Sequence, residues 1–266
     1  MSTVRVGSLD IAYHDLGAGE PVLLINGTGE SGETWLPLVE PLAARRRFIA
    51  IDQRDTGAST YVTEPYRPAD LAADALGVLD GLGIEAADVV GFSLGGAVAM
   101  EMALAAPARV RSLGLLSTWA RSDAWFVAQM RSWQAIRLAH PDDDAAFLRA
   151  LDAWLFSPVT FEQRDRYDAI YRMWDAETYS QRADGWLRQC EADIAHDVAD
   201  RLSGVRAPAL VLVGEDDICT PARYSDELVR LLPSARRVTV PEAGHCALFE
   251  RPDEVRAAIV ALLEEA

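Results

Sequence analysis

Ala87-Asp88-Val89-Val90-Gly91-Phe92-Ser93-Leu94-Gly95-Gly96-Ala97 is the stretch whose reading decides the fold. The run Ala87 to Val90 has strand character, and the small residues from Gly96 to Ala106 suit a tightly packed helix. Between them lies Gly91-Phe92-Ser93-Leu94-Gly95, so the local order is strand, turn, helix. A serine on such a turn is exposed on a strained backbone, and glycines two positions to either side let neighbouring chain approach without a Cβ collision. The helix that follows points N–H groups and a positive dipole end toward the serine oxygen. Ser93 is therefore the candidate nucleophile.

Outward from this turn the chain alternates between strand and helix patterns. Val4 to Val6 and Leu9 to Tyr13, parted by Gly7-Ser8, read as an opening hairpin. Continuous apolar runs follow at Val22 to Ile25, Phe48 to Ile51, Val89-Val90, Val110 to Leu116, Ala209 to Val213 and Val238 to Val240, as strands covered on both faces require. Leu71, Ala75, Val78 and Leu82 share one helical face, as do Val255, Ile259 and Leu262. This succession predicts an α/β sheet with right-handed crossovers.

The alternation stops between about Trp119 and Val205, where the pattern turns helical and aromatic. Six of the seven tryptophans fall there, at positions 119, 125, 133, 154, 174 and 186. The expected organisation is a core of residues 1–118 and 206–266 with a helical cap at 119–205. Most of these rings should hold the cap together, while one or two line a pocket; Trp119, Trp125 and Trp154 are the candidates.

Composition excludes several functions. The net charge of -16, from 41 acidic and 25 basic residues, repels phosphate backbones and anionic lipids. Every basic residue is arginine, so neither a Schiff-base lysine nor the lysine of a Walker P-loop can be built. Cys190, Cys219 and Cys246 match no zinc or disulfide pattern and suit a reducing compartment as small buried hydrophobes. No signal peptide or membrane span is visible, so a cytoplasmic location is expected. A small-molecule substrate is the expected partner, nucleic acid and membrane are not, and a homodimer is allowed. No metal or organic cofactor is needed.

A serine hydroxyl needs a base, and the chain has four histidines. His14 follows the opening hairpin, and His140 and His196 lie in the expected cap. His245 alone follows a late core strand, in Glu242-Ala243-Gly244-His245, where loops gather at the C-terminal edge of a parallel sheet. A carboxylate must orient the imidazole. Leu210 to Val213 runs into Gly214-Glu215-Asp216-Asp217, and any of the three acids satisfies the chain order serine, acid, histidine.

This order and spacing resemble the α/β-hydrolase superfamily, specifically its small capped members such as esterases, enol-lactonases, polyketide methylesterases and cofactor-free haloperoxidases. The resemblance implies a mostly parallel eight-stranded sheet flanked by helices, with the cap inserted after the sixth strand. Relatives carry the acid in a G-x-x-D-x-x-x-P pattern, which Gly214, Asp217 and Pro221 match, so the resemblance selects Asp217. It also implies a structural turn at Asp52 to Ser59, with no chemistry assigned. An oxyanion hole would use the backbone N–H of Leu94 and of Thr28, in the loop Ile25 to Gly29. Asn26-Gly27 stands where relatives usually have His-Gly.

The expected activity is hydrolysis of a carboxylic ester or lactone of a small to medium apolar molecule through an acyl-enzyme. The alternatives are natural-product tailoring by cyclisation or C–C cleavage, haloperoxidase chemistry, or a ligand receptor without turnover.

Overall fold

The computed structural model describes residues 1–175 and 181–265. Eight strands form one sheet: β1 Ser2–Val6, β2 Leu9–Gly17, β3 Glu20–Ile25, β4 Arg46–Ile51, β5 Ala87–Phe92, β6 Val110–Leu116, β7 Ala209–Gly214 and β8 Ala235–Val240, in the order β1-β2-β4-β3-β5-β6-β7-β8. β2 pairs antiparallel with both β1 and β4, and every later pairing is parallel. The mostly parallel sheet expected from the apolar runs is present.

Side-chain alternation divides these strands between two apolar layers. Leu23, Ile25, Ile49, Val89 and Leu115 face α2 (Pro68–Gly81) and α3 (Leu94–Ala105), against Leu71, Val78 and Val98. Leu24, Phe48, Val90, Leu116 and Leu212 face the other way, against Val255, Ile259 and Leu262 of the C-terminal helix. Burial on both faces explains why the strands read as unbroken apolar runs. A single turn, α1 (Leu36–Val39), carries Leu38 and Val39 into the second layer.

Among the described residues, five α-helices lie between β6 and β7: α4 Ala124–Ala139, α5 Asp144–Leu155, α6 Pro158–Glu162, α7 Arg164–Asp175 and α8 Ala183–Ile194. The insertion closes on a short stem, where Arg121 bridges Asp197 and the Val198 amide donates to the Ala120 carbonyl at 2.9 Å. His196 sits in this stem, buried, its Nε2 3.1 Å from the Trp119 carbonyl, and burial pushes its pKa down to about 4. It is thus a neutral structural ring. The aromatic residues of α4–α8 join the same apolar layer as the C-terminal helix. After β7 come α9 (Ala222–Leu231), α10 (Ala247–Glu250) and α11 (Pro252–Glu265).

The sheet order reverses around β3, which has β4 on one side and β5 on the other. Ile25 and Gly91, near the ends of β3 and β5, are register partners. The loops leaving these strands therefore start side by side, in the crevice where doubly wound sheets bind ligands.

Candidate active site

Ser93 has φ 52° and ψ −117°, a left-handed backbone that a non-glycine residue tolerates only when its surroundings impose it. The flanking glycines show what imposes it. A Cβ on Gly91 would lie 2.1 Å from the Gly95 carbonyl oxygen, and one on Gly95 would lie 2.1 Å from that of Ile25. The turn is thus pressed against itself and against the end of β3. Gly95→Ala is expected to lower the Tm by about 10 °C or more, since the backbone atoms it meets cannot step aside. Thermal denaturation followed by circular dichroism checks this, and an unchanged Tm would contradict the packing.

The structure brings Ser93, His245 and Asp217 together. His245 Nε2 stands 3.1 Å from Ser93 Oγ, and its Nδ1 stands 3.1 Å from Asp217 Oδ2. His245 and Asp217 are each 4% exposed, so water competes weakly for these contacts. Asp217 also accepts the amides of Cys219 (2.9 Å) and Thr220 (2.7 Å), and the Thr220 hydroxyl donates to it at 2.8 Å. Burial alone would raise the Asp217 pKa, but His245 and these donors outweigh it and hold the carboxyl below its ordinary value. Burial works against a charge on His245 as well, yet its neighbours raise its pKa well above the usual histidine value. Cys219 is one of those neighbours, but burial pushes its own thiol up. The negative charge at the ring is therefore that of Asp217, and the carboxylate fixes Nδ1 as the protonated nitrogen.

The loop after β3 is built from contacts that the sequence did not disclose. Asn26 is fully buried and donates through Nδ2 to the Ser31 carbonyl and, at 3.3 Å, to Thr34 Oγ1. Its own carbonyl accepts from Gln53 Nε2 at 2.9 Å. Asn26 thus fastens the start of the loop. The cap grips the loop from above: Thr28 Oγ1 donates to Asp193 Oδ2 at 2.7 Å, and the Gly29 amide donates to Gln189 Oε1 at 2.9 Å, both acceptors on α8. Among the described residues, no protein acceptor takes the amides of Thr28 or Leu94.

The turn after β4 joins core to cap. Asp52 accepts the amides of Gly32 (2.7 Å) and Ala58 (2.9 Å). Asp55, fully buried, receives Arg188 of α8 through two bonds of 2.8 and 3.0 Å. The segment is held by contacts both local and distant, and one of its partners lies 133 residues away.

A cavity of about 320 Å³ opens over Ser93 and His245, a size suited to a small organic molecule. Trp119 lines it, as expected. Trp125 and Trp154 do not; Trp133, Trp174 and Trp186 do. The correction lies in helix phase. On α4, Phe126, Met130 and Trp133 form the stripe that faces the cavity, and Trp125 falls beside it, 41% exposed beneath the Arg223 guanidinium. Trp154 packs instead against Trp125 and Trp133, with ring centroids 6.4 and 6.3 Å away.

Cys219 and Cys246 line the cavity as free buried thiols, both pushed up by burial. Among the described residues, no three His, Cys, Asp or Glu side chains gather as a metal site, and no helix is long and apolar enough to cross a membrane.

Residues 20–252 match the family described as alpha/beta hydrolase fold. The chain belongs to the α/β-hydrolase fold family. A relative named carbamate hydrolase RutD, from Azorhizobium caulinodans, is 33% identical over 249 residues, 93% of this chain and 92% of its own. One named non-heme bromoperoxidase BpoC, from Mycobacterium tuberculosis, is 32% identical over 275 residues, 95% of this chain and 97% of its own. Among solved α/β-hydrolases, the enol-lactonase from Burkholderia xenovorans LB400 superposes with a TM-score of 0.85 at 25% identity, covering 99% of this chain and 100% of that one. The loops that follow β3, β5, β7 and β8 hold Thr28, Ser93, Asp217 and His245.

Proposed function

We propose that this α/β-hydrolase is a serine hydrolase of carboxylic esters or lactones that works through an acyl-enzyme. The observation that carries the reading is the continuous contact from Ser93 Oγ through His245 to Asp217, at 3.1 Å on each side, beneath a cavity lined mainly by apolar and aromatic groups. Ser93 Oγ attacks the carbonyl carbon while His245 Nε2 takes the hydroxyl proton, and Asp217 stabilises the imidazolium. The unpaired amides of Leu94 and Thr28 receive the negative oxygen, each worth roughly 3 to 4 kcal/mol of barrier lowering in such a site. The C–O bond then breaks, and His245 passes its proton to the departing alcohol oxygen. Water, deprotonated by His245, attacks the acyl-serine, and the proton returns to Ser93 as the acid leaves. With a lactone the alcohol stays attached, so the product is a single hydroxy acid.

The similarity to a protein named enol-lactonase supports the cyclic-ester version of this chemistry without choosing it over the open-chain one. A serine-directed fluorophosphonate is expected to form one adduct, located on Ser93 by peptide mass mapping, with p-nitrophenyl acetate hydrolysis lost in proportion to labelling. Folded protein that neither labels nor turns over the ester would leave the receptor alternative in its place.

A further inference from the structure

Two acids in the cavity have no part in the chemistry above. Asp193, on α8, is 2% exposed. Its Oδ2 accepts the Thr28 hydroxyl, while its Oδ1 is buried without a hydrogen-bond partner. Glu30, two residues beyond Thr28, lines the same cavity. Gln181 stands there too, with Nε2 spent on the Asp55 carbonyl (2.8 Å) and Gln189 Oε1 (3.0 Å), and with its Oε1 buried and unpartnered. Gln189, one turn before Asp193 on α8, connects these groups by holding the Gly29 amide. The wall above the oxyanion loop therefore carries buried acceptors that lack a donor, and a buried acceptor left unpaired is costly.

The charge balance points the same way. Arg137, an arginine that lines the cavity, is already committed to Asp144 Oδ1 at 2.6 Å and the Gln181 carbonyl at 2.8 Å. Burial raises Glu30 to about 7 and Asp193 to about 8, and the charged side chain acting on both is the ring of His245 rather than any arginine. Among the described residues, neither carboxyl has an arginine partner, in a chain that pairs many of its other acids with arginine. The same cavity is lined by the rings of Phe92, Trp119, Phe126 and Trp186, and aromatic faces attract cations.

We propose that this wall selects substrates that carry an ammonium group, held by the carboxylates of Asp193 and Glu30 beside Gln181 and the aromatic rings of the cavity. The substrate class is then an ester or lactone of an amino-bearing molecule. Calling it a substrate rests on the hydrolase reading; the binding itself does not.

The test uses two probes that contain no ester. Tryptophan fluorescence of the whole protein is titrated at pH 9, where both acids have given up their protons and the amine keeps its own, with 3-phenylpropylammonium and with its neutral counterpart 3-phenylpropanol. The ammonium ion is expected to bind at least about ten-fold more tightly. Asp193→Asn keeps an acceptor for Thr28 but removes the charge, and it is expected to bring the ratio of the two affinities close to one. If circular dichroism finds Asp193→Asn unfolded, Glu30→Gln takes its place, with the ratio expected to fall at least three-fold. Equal affinities in the wild type, or a ratio that the folded variant leaves intact, would overturn the proposal. Selective ammonium binding without a fluorophosphonate adduct would instead sink the hydrolase reading and leave the ammonium site standing.

Discussion

Replacing Ser93 by alanine lowers p-nitrophenyl acetate hydrolysis by about four to six orders of magnitude, the range found when the nucleophile of such a constellation is removed. The effect is large because nothing nearby can substitute. Cys219 and Cys246 are the thiols that line the cavity, and burial keeps both neutral. The fold should be unharmed, since alanine fits a position whose backbone is set by the glycine contacts around it rather than by the hydroxyl. The decisive comparison is initial rate against far-ultraviolet circular dichroism. A folded Ser93→Ala protein that retains a tenth of the wild-type rate would remove Ser93 from the reaction.

Asp217→Asn is the second large effect, a loss on the order of 10⁴ in kcat with KM nearly constant. Asparagine fills the same space, but its amide places a donor where the carboxylate accepted from His245 Nδ1 and the Thr220 hydroxyl. The ring then turns its proton toward Ser93 and can no longer take one from it. The same variant carries a pH signature that a merely structural role would not produce. Because Asp217 favours the imidazolium, the wild-type rate should fall as pH drops through a His245 value lying above the usual 6.5. Without the carboxylate, that acid limb should move to lower pH. A profile of kcat/KM from pH 5 to 9 reads it, and an unshifted limb would mean that Asp217 does not govern the protonation of His245.

What the sequence disclosed of this site is what local backbone chemistry encodes. Gly91 and Gly95 mark the turn because a collision within a few residues forbids anything larger, and Ser93 follows from them. His245 could be chosen from four histidines because the strand pattern put the others elsewhere. The choice among Glu215, Asp216 and Asp217 needed the family pattern, since all three follow the end of β7 and what distinguishes Asp217 is visible only in the fold: its contact with His245 and the donors from Cys219 and Thr220. The tryptophans mark the limit of composition. Their abundance announces an aromatic cap, but which ones face the cavity depends on the rotation of α4 and α5, set by packing that no local window contains.

The remaining groups were hidden because their partners are distant in the chain. Thr28 meets Asp193 across 165 residues, and Asp55 meets Arg188 across 133. Asp193 reads in sequence as one more acid on an acidic helix. Only the folded chain shows it buried, half-satisfied and above the oxyanion loop.

Glu250 carries a further implication. Fully buried, it accepts the Gly244 amide beside His245 and, at the same time, the Ser157 amide (2.8 Å) and the Thr160 hydroxyl (2.7 Å) at the start of α6. The insertion is thus moored through α8 to the segment holding Thr28 and through α6 to the segment holding His245. Selectivity and turnover are not separable modules in such a molecule. An exchange of the 124–194 region for that of a relative would disturb the aim of both the proton acceptor and the oxyanion donors, so a chimera would inherit a new rate along with a new preference.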